Sequence, residues 1–133
     1  MDRSVRPLLS SAEIERRVRE LAARITADYA GRSLVLVCVL KGGFVFAADL
    51  ARAIDLPLRI EFLGVRSYGD ETRSSGTVEI THDLSAPVEG RDLLLVEDIV
   101  DTGLTSRFLL DLLGTREPRS VGLCALLHKP ARM

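Results

Sequence analysis

Between Glu97 and Thr105 the chain reads Glu-Asp-Ile-Val-Asp-Thr-Gly-Leu-Thr, directly behind the apolar run Leu93 to Val96. That run suits a strand covered on both faces, and Glu97, Asp98 and Asp101 stand where such a strand leaves its sheet. Charge is tolerated there only when solvated or paired. Thr102, Gly103, Leu104 and Thr105 then open a helical pattern with Leu109, Leu110, Leu112 and Leu113 at its apolar positions. Backbone N–H groups and the positive end of the helix dipole should therefore point into the turn. A phosphate fits such a turn, and acids beside it suit sugar hydroxyls or a metal-chelated ligand. A plain N-cap would use the same turn residues, and the two roles are compatible. Neither a Gly-x-x-x-x-Gly-Lys-Ser/Thr loop nor a Gly-x-Gly-x-x-Gly fingerprint occurs to compete for this position.

The elements that must position this segment are legible from periodicity. Ser10 followed by Glu13 is a capping-box pattern, and Ile14, Val18, Leu21, Ala22, Ile25 and Tyr29 recur at helical spacing. Leu34 to Leu40 is an unbroken, valine-rich run that predicts a first central parallel strand, ended by Lys41-Gly42-Gly43. Phe44 to Ile54 reads as a helix with Phe44, Ala47, Ala48 and Ala51 on one side, and Asp55 to Pro57 breaks it before a strand over Leu58 to Val65. The polar stretch Arg66 to Ser75 reads as a mobile loop. Short strands follow at Thr77 to His82 and Asp92 to Val96, then the helix after Thr105 and a strand over Val121 to Leu127. Strands alternating with helices imply an α/β fold with a central, mainly parallel sheet, whose ligands gather beyond the carboxyl ends of its strands.

With 133 residues, 47% of them hydrophobic, the chain can bury one core, and a single domain over 1–133 is expected. The formal net charge of −1, with both signs interspersed, offers no footprint for nucleic acid or an anionic membrane. Cys38 and Cys124 lie in apolar runs without metal-ligand spacing and read as reduced, buried hydrophobes, which points to an intracellular, cytoplasmic protein. The start Met-Asp-Arg has no signal-peptide core, and Leu34 to Leu40 is too short to span a bilayer. His82 and His128 have neither metal-ligand spacing nor a nucleophile partner.

The segment from Leu93 to Thr105 resembles the phosphoribosyl-diphosphate (PRPP) signature of the type I phosphoribosyltransferases: a hydrophobic strand, two acids, two apolar residues and Asp-Thr-Gly-x-Thr. The Glu-Asp order, Leu40-Lys41-Gly42-Gly43, Arg66-Ser67-Tyr68 and Leu126-Leu127-His128-Lys129-Pro130 narrow the resemblance to the hypoxanthine (hypoxanthine-guanine) phosphoribosyltransferases of purine salvage. The resemblance implies the type I, Rossmann-like core. It assigns Glu97 and Asp98 to the ribose hydroxyls of PRPP, and through those hydroxyls and water, indirectly, to Mg²⁺. Asp101 matches a general base and acid near N7 of the purine, and Thr102, Gly103, Leu104 and Thr105 match the 5′-phosphate loop. Lys41, Gly42 and Gly43 match the loop that binds diphosphate, often through a non-proline cis peptide, which would here be Leu40-Lys41. Ser67 and Tyr68 head a loop that closes over the diphosphate and excludes water, and Lys129 matches the lysine that contacts the purine 6-oxo group. Each of these residues, taken singly, has an ordinary reading as a solvated acid, a flexible turn or a surface lysine.

The resemblance implies Mg²⁺ as cofactor, PRPP and a 6-oxopurine as substrates, and a homodimer or homotetramer. Family members continue past the purine-contacting lysine into a segment that stacks on the base, and nothing in the sequence up to Met133 matches that segment. A chain cut short is the favoured explanation, over a partner chain that supplies the rest or a degenerate protein. The function expected is Mg²⁺-dependent transfer of 5-phosphoribosyl to hypoxanthine or guanine. The alternatives left open are a non-catalytic PRPP-binding regulator, an inactive fragment, and a transferase for xanthine or a pyrimidine.

Overall fold

A computed structural model describes residues 10–67, 78–100 and 103–128. The chain begins with helix α1 (Ser11–Asp28), where the capping box forms: Ser10 Oγ accepts from the Glu13 N–H and the Glu13 carboxylate accepts from the Ser10 N–H. Strand β1 (Leu34–Leu40), helix α2 (Phe44–Ala53) and strand β2 (Leu58–Ser67) follow. Then come β3 (Val78–His82), β4 (Asp92–Val100), α3 (Leu104–Gly114) and β5 (Ser120–His128). The five strands form one sheet in the order β3-β2-β1-β4-β5, parallel throughout except for antiparallel β3. The mainly parallel α/β architecture expected from the alternation of elements is the one observed.

The sheet separates two cores. Leu36, Cys38, Leu94 and Val96 face α1 and α2, where Val18, Ala22, Ile25, Phe46, Ala47 and Leu50 close over them. Val35, Val37, Leu93 and Leu95 face the other way, against Leu109 and Leu113 of α3. Both faces of β1 and β4 are thus covered, which is why their sequences are continuous apolar runs and not alternating ones. Both cysteines are free and buried; burial pushes the Cys38 thiol up and the Cys124 thiol up to about 11, which disfavours the thiolate in each.

The bounds of three strands and the buried face of one helix differ from the sequence expectation. β2 extends beyond Val65, because Arg66 and Ser67 pair with Glu79 and Val78 of β3, and the Arg66 Nε donates to the Glu79 carboxylate at 2.8 Å. β4 extends beyond Val96 through Val100, because β5 continues alongside it. β5 itself runs one residue longer at each end than the apolar run. In α2 the buried stripe is Phe46, Ala47 and Leu50, while Phe44 is 56% exposed. Nearly every residue of that helix is apolar, so the pattern contains no unique face and only packing chooses one.

The amino ends of the strands are locked by buried acids. Asp92, 1% exposed, accepts from Ser120 Oγ at 2.6 Å and lies 3.4 Å from the Arg32 guanidinium. Glu61 accepts from the N–H and hydroxyl of Ser85 and sits 3.2 Å from the Arg59 Nε. These contacts tie two loops, and the start of β5, to the sheet far from the carboxyl ends where a ligand would bind.

The β2–β3 pairing shifts register at Gly64/Val65, and there a side chain has no room: a Cβ on Gly64 would meet Thr81 Oγ1 at 2.7 Å, His82 Cβ at 2.9 Å and the His82 N at 3.2 Å. Gly64→Ala is expected to lower stability by about 1–3 kcal/mol in urea unfolding. An unchanged midpoint would show that β3 can move aside at no cost.

Candidate active site

Strand lengths set the arrangement at the carboxyl ends of β1 and β4. β1 pairs with β4 only from Leu34↔Asp92 to Cys38↔Val96, whereas β4 stays paired with β5 as far as Val100↔His128. Beyond Val96 the edge of β4 that faced β1 has lost its strand, and the turn after β1 occupies the space. A Cβ on Gly43 would lie 3.4 Å from the Val96 carbonyl, 3.5 Å from the Val39 carbonyl and 3.7 Å from the Asp98 N, and one on Gly42 would lie 3.9 Å from Asp98 Oδ1. The Leu40–Lys41 peptide is cis, as the family resemblance implies, and the Lys41 side chain is exposed. The Lys41–Gly43 turn and acids distant in sequence are therefore brought together by the end of one strand pairing.

Glu97 and Asp98 are neighbours on a strand and so point to opposite faces. Asp98 follows Leu94 and Val96 toward the Lys41–Gly43 turn, and its carboxylate accepts from the Ile99 N–H at 2.8 Å. Glu97 follows Leu93 and Leu95 toward α3, where its carboxylate accepts a hydrogen bond from Ser106 Oγ. Burial pushes the Glu97 carboxyl above the usual range; the Ser106 hydrogen bond works against that shift and the charge of Asp98 adds to it. The two acids thus bracket the carboxyl end of β4 from its two sides.

Gly103 caps α3 in the left-handed region, with φ of 85°, a conformation that favours glycine, and supplies no side-chain cap. Leu104 and Thr105 form the first turn of the helix, with the Arg107 N–H already bonded to the Gly103 carbonyl. Gly103 to Thr105 therefore stand at a helix N-terminus, as the motif requires. Ser67 is the last described residue of β2 and pairs with Val78. Asp101, Thr102, Tyr68 and Lys129 lie outside the described residues.

Ser106 is the site residue that motif reading passed over. It is 5% exposed and shares the inner stripe of α3 with Leu109 and Leu113, at i, i+3 and i+7. The available signal was a hydroxyl on an otherwise leucine-rich face.

A parallel sheet with this strand order, a glycine turn after β1 and an acid pair at the end of β4 defines a phosphoribosyltransferase core. Residues 4–133 match the family model for the phosphoribosyl transferase domain, and the chain belongs to that family. Within it, the likeness is to hypoxanthine-guanine phosphoribosyltransferases. The enzyme of that name from Mycobacterium avium is 49% identical over 129 residues, covering 92% of this chain and 64% of its own length. That from Dictyostelium discoideum is 48% identical, covering 92% and 70%. The crystal structure of a hypoxanthine-guanine phosphoribosyltransferase from Bacillus anthracis superposes with a TM-score of 0.91 at 40% identity, covering 95% of this chain and 75% of that one. The chain thus spans just under two thirds of the Mycobacterium relative.

Because the folded state raises the Glu97 pKa, the stability contributed by this group is present below the ordinary carboxyl range and lost as pH rises through the raised value. Glu97→Gln should therefore raise the Tm of the ligand-free protein at about pH 8 and confer much less benefit at about pH 4. A Tm difference equal at both pH values would mean that the buried charge is not its source.

Proposed function

We propose that the chain carries the PRPP half of a purine-salvage transferase, which moves the 5-phosphoribosyl group from PRPP to N9 of hypoxanthine or guanine and releases diphosphate. The observation that carries this reading is the gathering at the carboxyl end of β4, with the Lys41–Gly43 turn against Asp98 on one side and Glu97 bonded to the start of α3 on the other. The names of the relatives support the same chemistry and give no support to a regulator or to another base.

In this reading the ribose lies across the end of β4, its 2′- and 3′-hydroxyls donating to Glu97 and Asp98. The 5′-phosphate sits at Thr102 to Thr105, against the backbone of the α3 N-terminus. Diphosphate lies along Lys41, Gly42 and Gly43, whose missing side chains let the backbone approach it while Lys41 adds charge. As the C1′ bond to diphosphate breaks, the sugar gains oxocarbenium character, and the purine N9 forms the new bond. Asp101 accepts the proton that leaves the purine, and Lys129 donates to the 6-oxo group, which adenine lacks. The segment from Ser67 and Tyr68 covers the site and excludes water.

The donors fit a divalent cation carried by the substrate. Glu97 and Asp98 point to opposite faces, and among the described residues no three His, Cys, Asp or Glu side chains gather as ligands. Mg²⁺ would then be held mainly by PRPP oxygens and water, with Glu97 and Asp98 reaching it through the ribose hydroxyls, and it would supply charge neutralisation of the diphosphate. Among the described residues no helix is long and apolar enough to cross a membrane. Action in the cytoplasm, as a homodimer or homotetramer, completes the proposal.

Calorimetric titration of PRPP with Mg²⁺, followed by hypoxanthine and diphosphate detection, tests the reading. Binding with turnover is expected, and failure to bind PRPP would overturn it. Gly42→Ala separates site from scaffold: its Cβ would meet only Asp98 Oδ1 at 3.9 Å, so stability should change by less than about 1 kcal/mol. PRPP affinity should nevertheless fall about tenfold, or about 1.4 kcal/mol. Asp101→Asn should lower kcat by about 10²-fold or more with little change in PRPP affinity, and equal losses in both would remove its assigned role.

A further inference from the structure

Ser106 occupies a position in α3 where the packing pattern asks for an apolar residue. Its neighbours on the stripe, Leu109 and Leu113, are fully buried, and it is 5% exposed itself. A serine inside a helix commonly turns its hydroxyl back to the carbonyl four residues earlier, as Thr26 does in α1, donating to the Ala22 carbonyl at 2.7 Å. Ser106 instead donates out of its helix to the Glu97 carboxylate, at the end of β4. That bond joins the end of β4 to the first turn of α3.

We propose that Ser106 is a positioning residue for PRPP, fixing the Glu97 carboxylate in the orientation that accepts the ribose hydroxyls. The inference rests on the reading of Glu97 as a ribose acceptor given above. A glutamate has three side-chain torsions, and a long acid left to rotate at the rim of a crevice must be ordered when the sugar arrives. Here one oxygen is held in advance by a buried donor with no alternative solvent partner. The other oxygen remains for the ligand, since a carboxylate has lone pairs for several donors. Hydrogen bonds to a charged acceptor are also the stronger kind, so the clamp should survive ligand binding. Ser106 contacts neither diphosphate nor base in this arrangement, and its effect should be confined to the sugar.

The test uses the full chain and two probes, PRPP and inorganic diphosphate, each with Mg²⁺, in calorimetric titrations of the wild type, Ser106→Ala and Ser106→Cys. Cysteine preserves the shape and donates weakly, so it separates the hydrogen bond from packing. The expected result is a rise of about five- to tenfold in the PRPP Kd for both variants, with the diphosphate Kd within about twofold of wild type and Tm little changed. An unchanged PRPP Kd in Ser106→Ala would overturn the proposal, as would full affinity in Ser106→Cys. Parallel losses for PRPP and diphosphate would also overturn it, because they would indicate general damage to the site. If the wild type bound no PRPP, the functional reading itself would fall, and the proposal with it.

Discussion

The site depends on one mismatch of lengths inside the sheet: β1 stops pairing with β4 at Cys38↔Val96, while β4 continues to Val100 on the strength of its pairing with β5. A strand that outruns one neighbour exposes backbone polar groups on that side, and they must be met by something other than the lost strand. The Lys41–Gly43 turn fills this position, close enough that Gly43 packs against the Val96 carbonyl and the Asp98 N. The place of the turn and the exposed end of β4 therefore have one origin. It lies between β1 and β4, where the order of strands reverses direction and α/β sheets generally place their ligands.

The same strand sorts the acids. Period-two alternation sends Asp98 to the face of α1 and α2 and Glu97 to the face of α3, so two residues adjacent in sequence serve opposite walls. Glu97 is partly removed from water beside another carboxylate, which pushes its carboxyl up, while the Ser106 hydrogen bond opposes that shift. At the other end of the strands, the buried acids Asp92 and Glu61 accept hydrogen bonds from Ser120 and Ser85.

Much of this was legible in the residues themselves. The capping box at Ser10 and Glu13, the doubly covered strands at Leu34–Leu40 and Leu93–Val96, and the glycine at the start of α3 are local patterns whose physics operates over a few residues. The motif Glu97 to Thr105 and the turn Lys41–Gly43 indicated a family for the same reason, and that family is the one to which the chain belongs. Reading failed where the signal was not local. The extra length of β4 and β2 comes from their partners β5 and β3, and polar residues such as Glu97, Asp98, Arg66 and Ser67 do not announce a strand. In α2, a helix apolar nearly all round, Phe44 was assigned to the core and lies at the surface.

Local sequence thus determined which segments become strands and helices, the type of fold they build and the chemistry carried by the acid and glycine motifs, because propensity, periodicity and capping act between residues near one another in the chain. Only the tertiary structure decided where each strand ends, which face each acid takes and that Ser106 meets Glu97. Those outcomes are set by pairing and packing between elements distant in sequence, where partner length, and not residue type, determines what is left unpaired.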